Sequence, residues 1–390
     1  MAEWIEKRLG EIAEVTKLAG FEFTKYIKYN DDGEIIALRA LNLRNGELDL
    51  SDIKRISREV SEGLTRSKIY KDDILLTYTG NGYGDCAIIE ENDKYHLAPN
   101  ICKIVPNQNA IYPYYLYCYI RSKAFYNQMS NNMTGSGQPT IPMKTIRLLK
   151  IPVPDMSVQV KIANMIRSLN QKIRNNKVIN NNLEQQAQAI YQQMFIDNAS
   201  SDWTEGTLSD IADITMGQSP SGSSYNEDGN GTIFFQGRAE FGFRFPTVRL
   251  YTTEPKRMAC ANDTLMSVRA PVGDLNVAHT DCCIGRGLAA IHSKNNHQSF
   301  VLYTMFSLKK QLDVFNGEGT VFGSINRNSL NEMPLLIPSS ENLDEFEALV
   351  APLDAAIRNH YDEVCRLEQL RDSLLTKLMS RELDVSDIEI

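Results

Sequence analysis

The run Thr79-Gly80-Asn81-Gly82-Tyr83-Gly84 follows the apolar stretch Ile74–Thr77 and has the glycine content of a loop that wraps a phosphate. Such a loop also needs a Gly-Lys-Ser/Thr element, or a ribose-binding acid in a βαβ unit, and neither follows. Later in the chain the corresponding stretch is Val268-Arg269-Ala270-Pro271-Val272-Gly273, which has lost most of those glycines. A shared turn with a variable tip is the simpler account, and it makes Asn81 and Tyr83 candidate contact residues. The seven cysteines (Cys86, Cys102, Cys118, Cys260, Cys282, Cys283 and Cys365) lie mostly in apolar stretches, without a CxxC pair or zinc spacing. They read as reduced, buried thiols. The five histidines do not cluster, and His292 with His297 in a polar stretch is a weak metal signal, so no metal is expected. The Asn-Pro-Pro-aromatic element of amino methylation is missing as well. The expectation is a chain with no catalytic residue and no cofactor of its own.

Side chains suited to another chemistry, contact with nucleic acid, concentrate in a few places. Arg pairs with guanine edges and Asn or Gln with adenine, while Lys and Arg on phosphates set position. Residues 54 to 71 carry Lys54, Arg55, Arg58, Arg66, Lys68 and Lys71, interleaved with Ser57, Ser61, Thr65 and Ser67. A solvated helix or loop face would have the same composition. In the second half, Gln236-Gly237-Arg238-Ala239-Glu240-Phe241-Gly242-Phe243-Arg244 combines polar readers with glycines and aromatics and precedes Arg249, Lys256 and Arg257. A structural hairpin would use the same glycines and aromatics. Arg269 follows an expected strand, and Arg286 stands between two glycines that permit close backbone approach. These two are the favoured contacts.

The elements that must position these residues come in duplicate. Trp4-Ile5-Glu6 through Leu9-Gly10-Glu11-Ile12-Ala13 matches Trp203-Thr204-Glu205 through Leu208-Ser209-Asp210-Ile211-Ala212 at an offset of 199. Asp73–Thr77 matches Asp263–Ser267, Gly84-Asp85 matches Gly273-Asp274, and Tyr115-Leu116-Tyr117 matches Val301-Leu302-Tyr303. Gly135 to Pro154 matches Gly319 to Pro338 at an offset of 184, so the first copy carries 15 additional residues between these landmarks. The framework is shared and the loops are not.

Each copy ends in a long glycine-free segment with apolar positions stepping by four and three. The first runs Ile162, Ile166, Leu169, Ile173, Asn176, Asn180, Leu183, Ala187, Ile190, Met194. The second runs Phe346, Val350, Leu353, Ile357, His360, Val364, Leu367, Arg371, Leu374, Leu378 at the same offset of 184. Two heptad seams in one chain predict an intramolecular antiparallel coiled coil of helices about 40 residues, hence about 60 Å, long. A dumbbell with a globular domain at each end follows from that geometry. Asn176 and His360 are the matched polar residues near mid-seam and are expected to meet and set register, or else to reach solvent. Arg381-Glu382-Leu383-Asp384-Val385-Ser386-Asp387-Ile388 resembles the start of a further repeat, which predicts closure of the chain on its own N-terminus.

The fold expected is therefore α+β: two globular domains related by a pseudo-twofold internal repeat and separated by two long antiparallel coiled-coil helices. The segments are 1–154, 155–198 (first helix), 199–338, 339–380 (second helix) and a tail, 381–390. A length of 390 residues with 42% hydrophobic content suits two cores. The net charge of −8 argues at first sight against a nucleic-acid partner, but its distribution is uneven: +1, +2, −3 and −8 for residues 1–154, 155–198, 199–338 and 339–390. The acidity belongs to the last 52 residues, and the rest is free to carry a local basic face. No run of about 18 apolar residues and no signal-peptide pattern is present, so a cytoplasmic location without membrane contact is expected.

The opening Trp…Leu-Gly-Glu-Ile-Ala-Glu-Val, the Asp-Asp-Ile-Leu-Leu-Thr strand, Gly135 to Pro142 (Gly-Ser-Gly-Gln-Pro-Thr-Ile-Pro) and Ile151 to Ala163 resemble the target-recognition domain and following helix of Type I restriction-modification specificity subunits. The second copy is similar through Ser267 to Gly273 and Gly285 to Ala289, but departs at the start of its helix, where no Gln matches Gln159 and Pro352 falls within the first turns. The resemblance implies a bipartite, asymmetric double-stranded DNA site with one domain per half. It implies as partners two modification subunits that bring S-adenosylmethionine and methylate adenine, and restriction subunits that bring ATP- and Mg-dependent translocation and cleavage. The alternative is a coiled-coil interaction scaffold with two protein- or carbohydrate-binding heads, which the acidic total favours.

Overall fold

A computed structural model describes residues 4–80, 82–135, 137–317 and 323–385. The chain folds as two compact units, one comprising residues 1–175 with 363–390 and the other residues 176–362. Each long helix thus contributes one half to each unit, so the expected helical segments do not stand apart as domains.

The first unit holds a four-stranded sheet in the order Ala13–Lys17, Ile101–Pro106, Ile74–Thr77, Cys86–Ile88. A second sheet runs Lys54–Ile56, Ile35–Leu38, Tyr95–Leu97, Lys68–Ile69, with its two middle strands parallel. All four residues of Ile35–Leu38 and of Ile74–Thr77 are buried, which is why these strands read as continuous apolar runs and not as alternation. Ile5–Arg8 pairs with Lys150–Val153. The second unit repeats the plan of these sheets. Ala212–Met216, Leu288–Ser293, Thr264–Ser267, Leu275–Val277 form one sheet, and Leu250–Thr252, Thr232–Phe235, Cys282–Ile284, Met258–Ala259 form the other, again with a parallel middle pair and with Tyr225–Asn226 added at one edge. Thr204–Thr207 pairs with Pro334–Ile337.

The long helices are Met156–Tyr191, which continues as a wider-wound turn to Asp197, and Ser340–Met379. Pro352 interrupts neither the helix nor its seam, since Val350 and Ile357 on either side are buried. In the first unit Val158, Ile162 and Ile166 share a core with Leu375, Leu378 and Met379, while Lys172 meets Glu363 at 2.5 Å and Asn170 meets Arg371 at 3.4 Å. In the second unit Tyr191 packs edge-on to Phe346 with ring centroids 5.8 Å apart, and Asn180 donates to the Ile357 carbonyl at 3.1 Å. Rising numbers on one helix meet falling numbers on the other, so the pair is antiparallel.

The mid-seam polar contacts of His360 include a residue that the repeat offset does not match to it. His360 Nδ1 lies 3.0 Å from Asn180 Oδ1, one turn beyond Asn176, and both asparagines are buried. Asn180 also holds the Ile357 carbonyl, which ties its amide in place beside His360. The C-terminal expectation concerned residues 381–388, of which 386–388 lie outside the described residues. Within the first unit Arg381 sits over the Trp4 ring at 5.2 Å, and Val385 is buried with Leu9 and Ile12 in one core. Burial pushes the thiols of Cys86, Cys102, Cys118 and Cys282 up to about 12, which keeps them protonated and inert. Cys260 departs from the expected pattern by being exposed, and Cys365 is half-buried.

Candidate nucleic-acid interface

Strand registers decide which loops come together. In the first unit Ile36 pairs in parallel with Tyr95, and Ala98 N–H donates to the Leu38 carbonyl at 2.9 Å. Both strands therefore finish at one edge, followed by Arg39 and by Pro99-Asn100. Ile101 is paired with Thr77 and Cys102 with Lys17, which brings the ends of two further strands to the same place. Tyr78 N–H donates to the Asn100 carbonyl at 3.2 Å and closes the edge. Arg39, Asn100, Tyr78, Thr79 and Lys17 thus converge there. Tyr29, Arg39, Ala40, Leu41, Pro99 and Asn100 line a recess of about 350 Å³.

The second unit builds the same edge from different side chains. Gly285 N–H donates to the Phe235 carbonyl at 2.8 Å, and Val268 N–H to the Gly287 carbonyl at 2.9 Å, matching the two closures just described. Ile284 N–H reaches the Arg257 carbonyl at 2.9 Å, and Arg286 N–H reaches Ser219 Oγ at 3.3 Å. A Cβ on Gly285 would lie 2.8 Å from the Gln236 carbonyl oxygen, so this close approach of backbones requires glycine. Gln236, Arg257, Arg269 and Arg286, all exposed, are brought to one edge. Lys256 lies beside Arg257. Arg238 stands there too but is partnered by Asp274, which also holds Lys309 at 3.4 Å.

Arg244 is a correction. Its side chain is 4% exposed and is clamped by Glu184 at 3.1 Å, Asp354 at 3.3 Å and the Tyr303 hydroxyl at 3.0 Å. Burying a guanidinium demands such carboxylate partners, and with them the residue ties the loop to both long helices and is withdrawn from any DNA surface.

The basic residues of 54 to 71 divide. Lys54 pairs opposite Ala37, Lys68 opposite His96, and Arg66 donates to the Lys17 carbonyl at 3.3 Å; these three flank the convergent edge. Arg55 instead donates to the Gly33 carbonyl at 3.3 Å, and the Arg58 N–H meets Glu34 Oε2 at 3.0 Å, at the start of the same strand and about 10 Å away. Ser57 caps the helix Arg58–Gly63 by accepting from Val60 N–H. Arg55 and Arg58 are therefore not assembled with the others. Asn81 lies outside the described residues. Tyr83 lies close to the edge, stacked on Tyr126. Arg39 and Asn100 escaped sequence reading, since only the parallel pairing across some sixty residues reveals them; the registers place Arg39 where Gln236 stands and Asn100 where Gly287 stands.

Each unit therefore presents a polar, mainly cationic edge on a matched backbone, with donors for base edges and phosphates and without a catalytic constellation among the described residues. The sequence pattern of the Type I restriction modification DNA specificity domain matches residues 1–185 and again 200–359, and the chain belongs to that family. It is a DNA sequence-specificity subunit of a Type I restriction-modification system. Similar proteins include one assigned as the MjaX type I restriction enzyme specificity subunit of Methanocaldococcus jannaschii, 28% identical over 374 residues covering 89% of this chain and 87% of the relative. The MjaIX specificity subunit of the same organism is 24% identical over 425 aligned positions covering 99% and 95%. The crystal structure of a Type I system S subunit from M. genitalium shares the fold, with a TM-score of 0.63 at 15% identity, covering 97% of this chain and 96% of the other. None of these similarities points to the interaction-scaffold alternative. Among the described residues no helix is long and apolar enough to cross a membrane.

Proposed function

We propose that the two units read the two halves of a bipartite, asymmetric double-stranded DNA site, and that the chain directs chemistry it does not perform. Two modification subunits bind S-adenosylmethionine and methylate adenine in each half. Restriction subunits add ATP- and Mg-dependent translocation and cleavage. The chain acts in the cytoplasm with no catalytic residue or cofactor of its own, and its acidic second helix is available to a partner subunit. One observation carries this reading: matched hydrogen bonds hold matched edges in the two units, while the side chains on those edges differ, as Arg39 and Asn100 against Gln236 and Gly287 show. Equal scaffolds with unequal readers suit unequal half-sites.

The test is to co-express the chain with its modification subunit and map methylated adenine by long-read sequencing. A bipartite motif that changes in one half only when residues 199–338 are exchanged for those of a relative is the expected result. A motif altered in both halves, or the absence of any motif from a soluble assembled complex, would overturn it.

A further inference from the structure

The turn that closes Ile74–Thr77 carries a feature its counterpart has lost. Tyr83 and Tyr126 stack with ring centroids 5.3 Å apart and planes 13° from parallel. Gly84, at φ +91°, lets the turn press against the second ring, since a Cβ there would lie 3.0 Å from Tyr126 Cδ2. Tyr126 sits on the helix Lys123–Ser130, whose first turn is capped by Ser122 Oγ accepting from Phe125 N–H at 3.3 Å. Backbone bonds from Gly84 N–H to the Thr77 carbonyl at 2.9 Å and from Gly80 N–H to the Pro139 carbonyl at 2.8 Å fix the turn. Tyr126 remains 44% exposed.

In the second unit the same three positions hold Val272, Leu312 and Asn316. A Cβ on Gly273 would meet Leu312 at 3.0 Å as one on Gly84 would meet Tyr126, and Val272 and Leu312 are fully buried. Val272 N–H donates to Asn316 Oδ1 at 2.6 Å, where in the first unit the Tyr83 hydroxyl donates to Ser130 Oγ at 3.4 Å. One copy fills this spot with a closed aliphatic pair. The other opens it and lines it with two phenols, beside the edge already argued to face DNA.

The two phenols and Ser130 form a short chain of hydroxyls. Tyr126 donates to the Tyr83 oxygen at 3.0 Å and the Tyr83 hydroxyl meets Ser130 Oγ at 3.4 Å, which leaves each phenol oxygen a lone pair able to accept beside an aromatic face. An acceptor pair of that kind complements an exocyclic amino group on a base edge, adenine N6 or cytosine N4, in the major groove. We infer that Tyr83 and Tyr126 form a stacked platform that reads an amino-bearing base in the half-site of the first unit, a contact with no equivalent in the second. This rests on the half-site reading proposed above.

The test uses the assembled complex and two variants. The triple exchange Tyr83→Val, Tyr126→Leu, Ser130→Asn installs the set already packed in the second unit. Tyr126→Phe keeps the ring and removes one hydroxyl. Methylated-adenine mapping and binding to duplexes altered one base pair at a time should show, for both variants, about tenfold weaker discrimination at one position of the first half, with the second half unchanged. Unaltered discrimination throughout, or change in the second half, would overturn the inference. Loss in the triple variant but not in Tyr126→Phe would overturn the amino-group reading. Should the triple variant fail to assemble, Tyr126→Phe alone decides. Wild-type complex that shows no half-site preference at all would instead count against the reading on which this inference rests.

Discussion

The two arginines that close the loop Gln236 to Arg244 and open the turn after Thr264–Ser267 look alike in sequence and do opposite work. Arg244 is clamped between Glu184 and Asp354 and serves the fold, whereas Arg269 is exposed on the edge. The same division separates the two units. The second gathers arginines around Gly285-Arg286-Gly287, and the first gathers an arginine, an asparagine and tyrosines around Pro99-Asn100 and the Tyr78 turn. Position on the scaffold sets what a residue type does, and the scaffold is the part that repeats.

The largest effect should come from breaking the buried side of this comparison. Arg244→Met leaves Glu184 and Asp354 without their cation in a site where burial already pushes the Glu184 carboxyl above its ordinary range, and a loss of about 3–5 kcal/mol is expected in denaturant unfolding. Arg269→Ala in the same assay should stay within about 0.5 kcal/mol of wild type.

Next comes readout. Arg286→Ala should lower discrimination among base pairs in the second half-site by about 1–3 kcal/mol, measured with duplexes substituted singly, and leave the first half alone. Arg39→Ala should do the reverse, although Arg39 also holds Asp52 at 3.0 Å and its loss carries some structural cost. A smaller and different effect belongs to the flanks. Lys256→Ala and Arg66→Ala should weaken binding to all sequences alike and reduce the slope of log affinity against log salt by about one, read from titrations at several salt concentrations.

The smallest effect concerns the seam. Replacing both Asn180 and His360 with Leu trades a partly buried polar pair for apolar packing and should raise the melting temperature by about 2–4 °C, while loosening register. An unchanged melting point would show that the pair is energetically neutral.

Much of this architecture was legible in the sequence. Leu208-Ser209-Asp210-Ile211 echoing Leu9-Gly10-Glu11-Ile12 exposed the repeat, and the step of four and three from Ile162 and Phe346 exposed the helices, because both signals are local. The edge residues were only partly legible. Gln236 and Arg286 announced themselves through neighbouring glycines and Arg269 through the strand before it, but Arg39 and Asn100 are joined by a parallel strand pairing that leaves no local trace. Arg244 was misread because its partners, Glu184 and Asp354, lie far along the chain on the two helices. Tyr126 drew no attention in the sequence, because its stacking on Tyr83 depends on the turn at Gly84. The repeat offset matched His360 to Asn176 and gave no sign of its contact with Asn180, which depends on how the antiparallel helices pair.

The central claim, one half-site per unit, is tested most directly by measuring the assembled complex carrying Arg286→Ala, Arg39→Ala or both on one panel of duplexes mutated in either half. The account predicts that each variant changes preference in its own half and that the double variant shows the sum. Overlapping changes in one half, or a single variant that alters both, would contradict it.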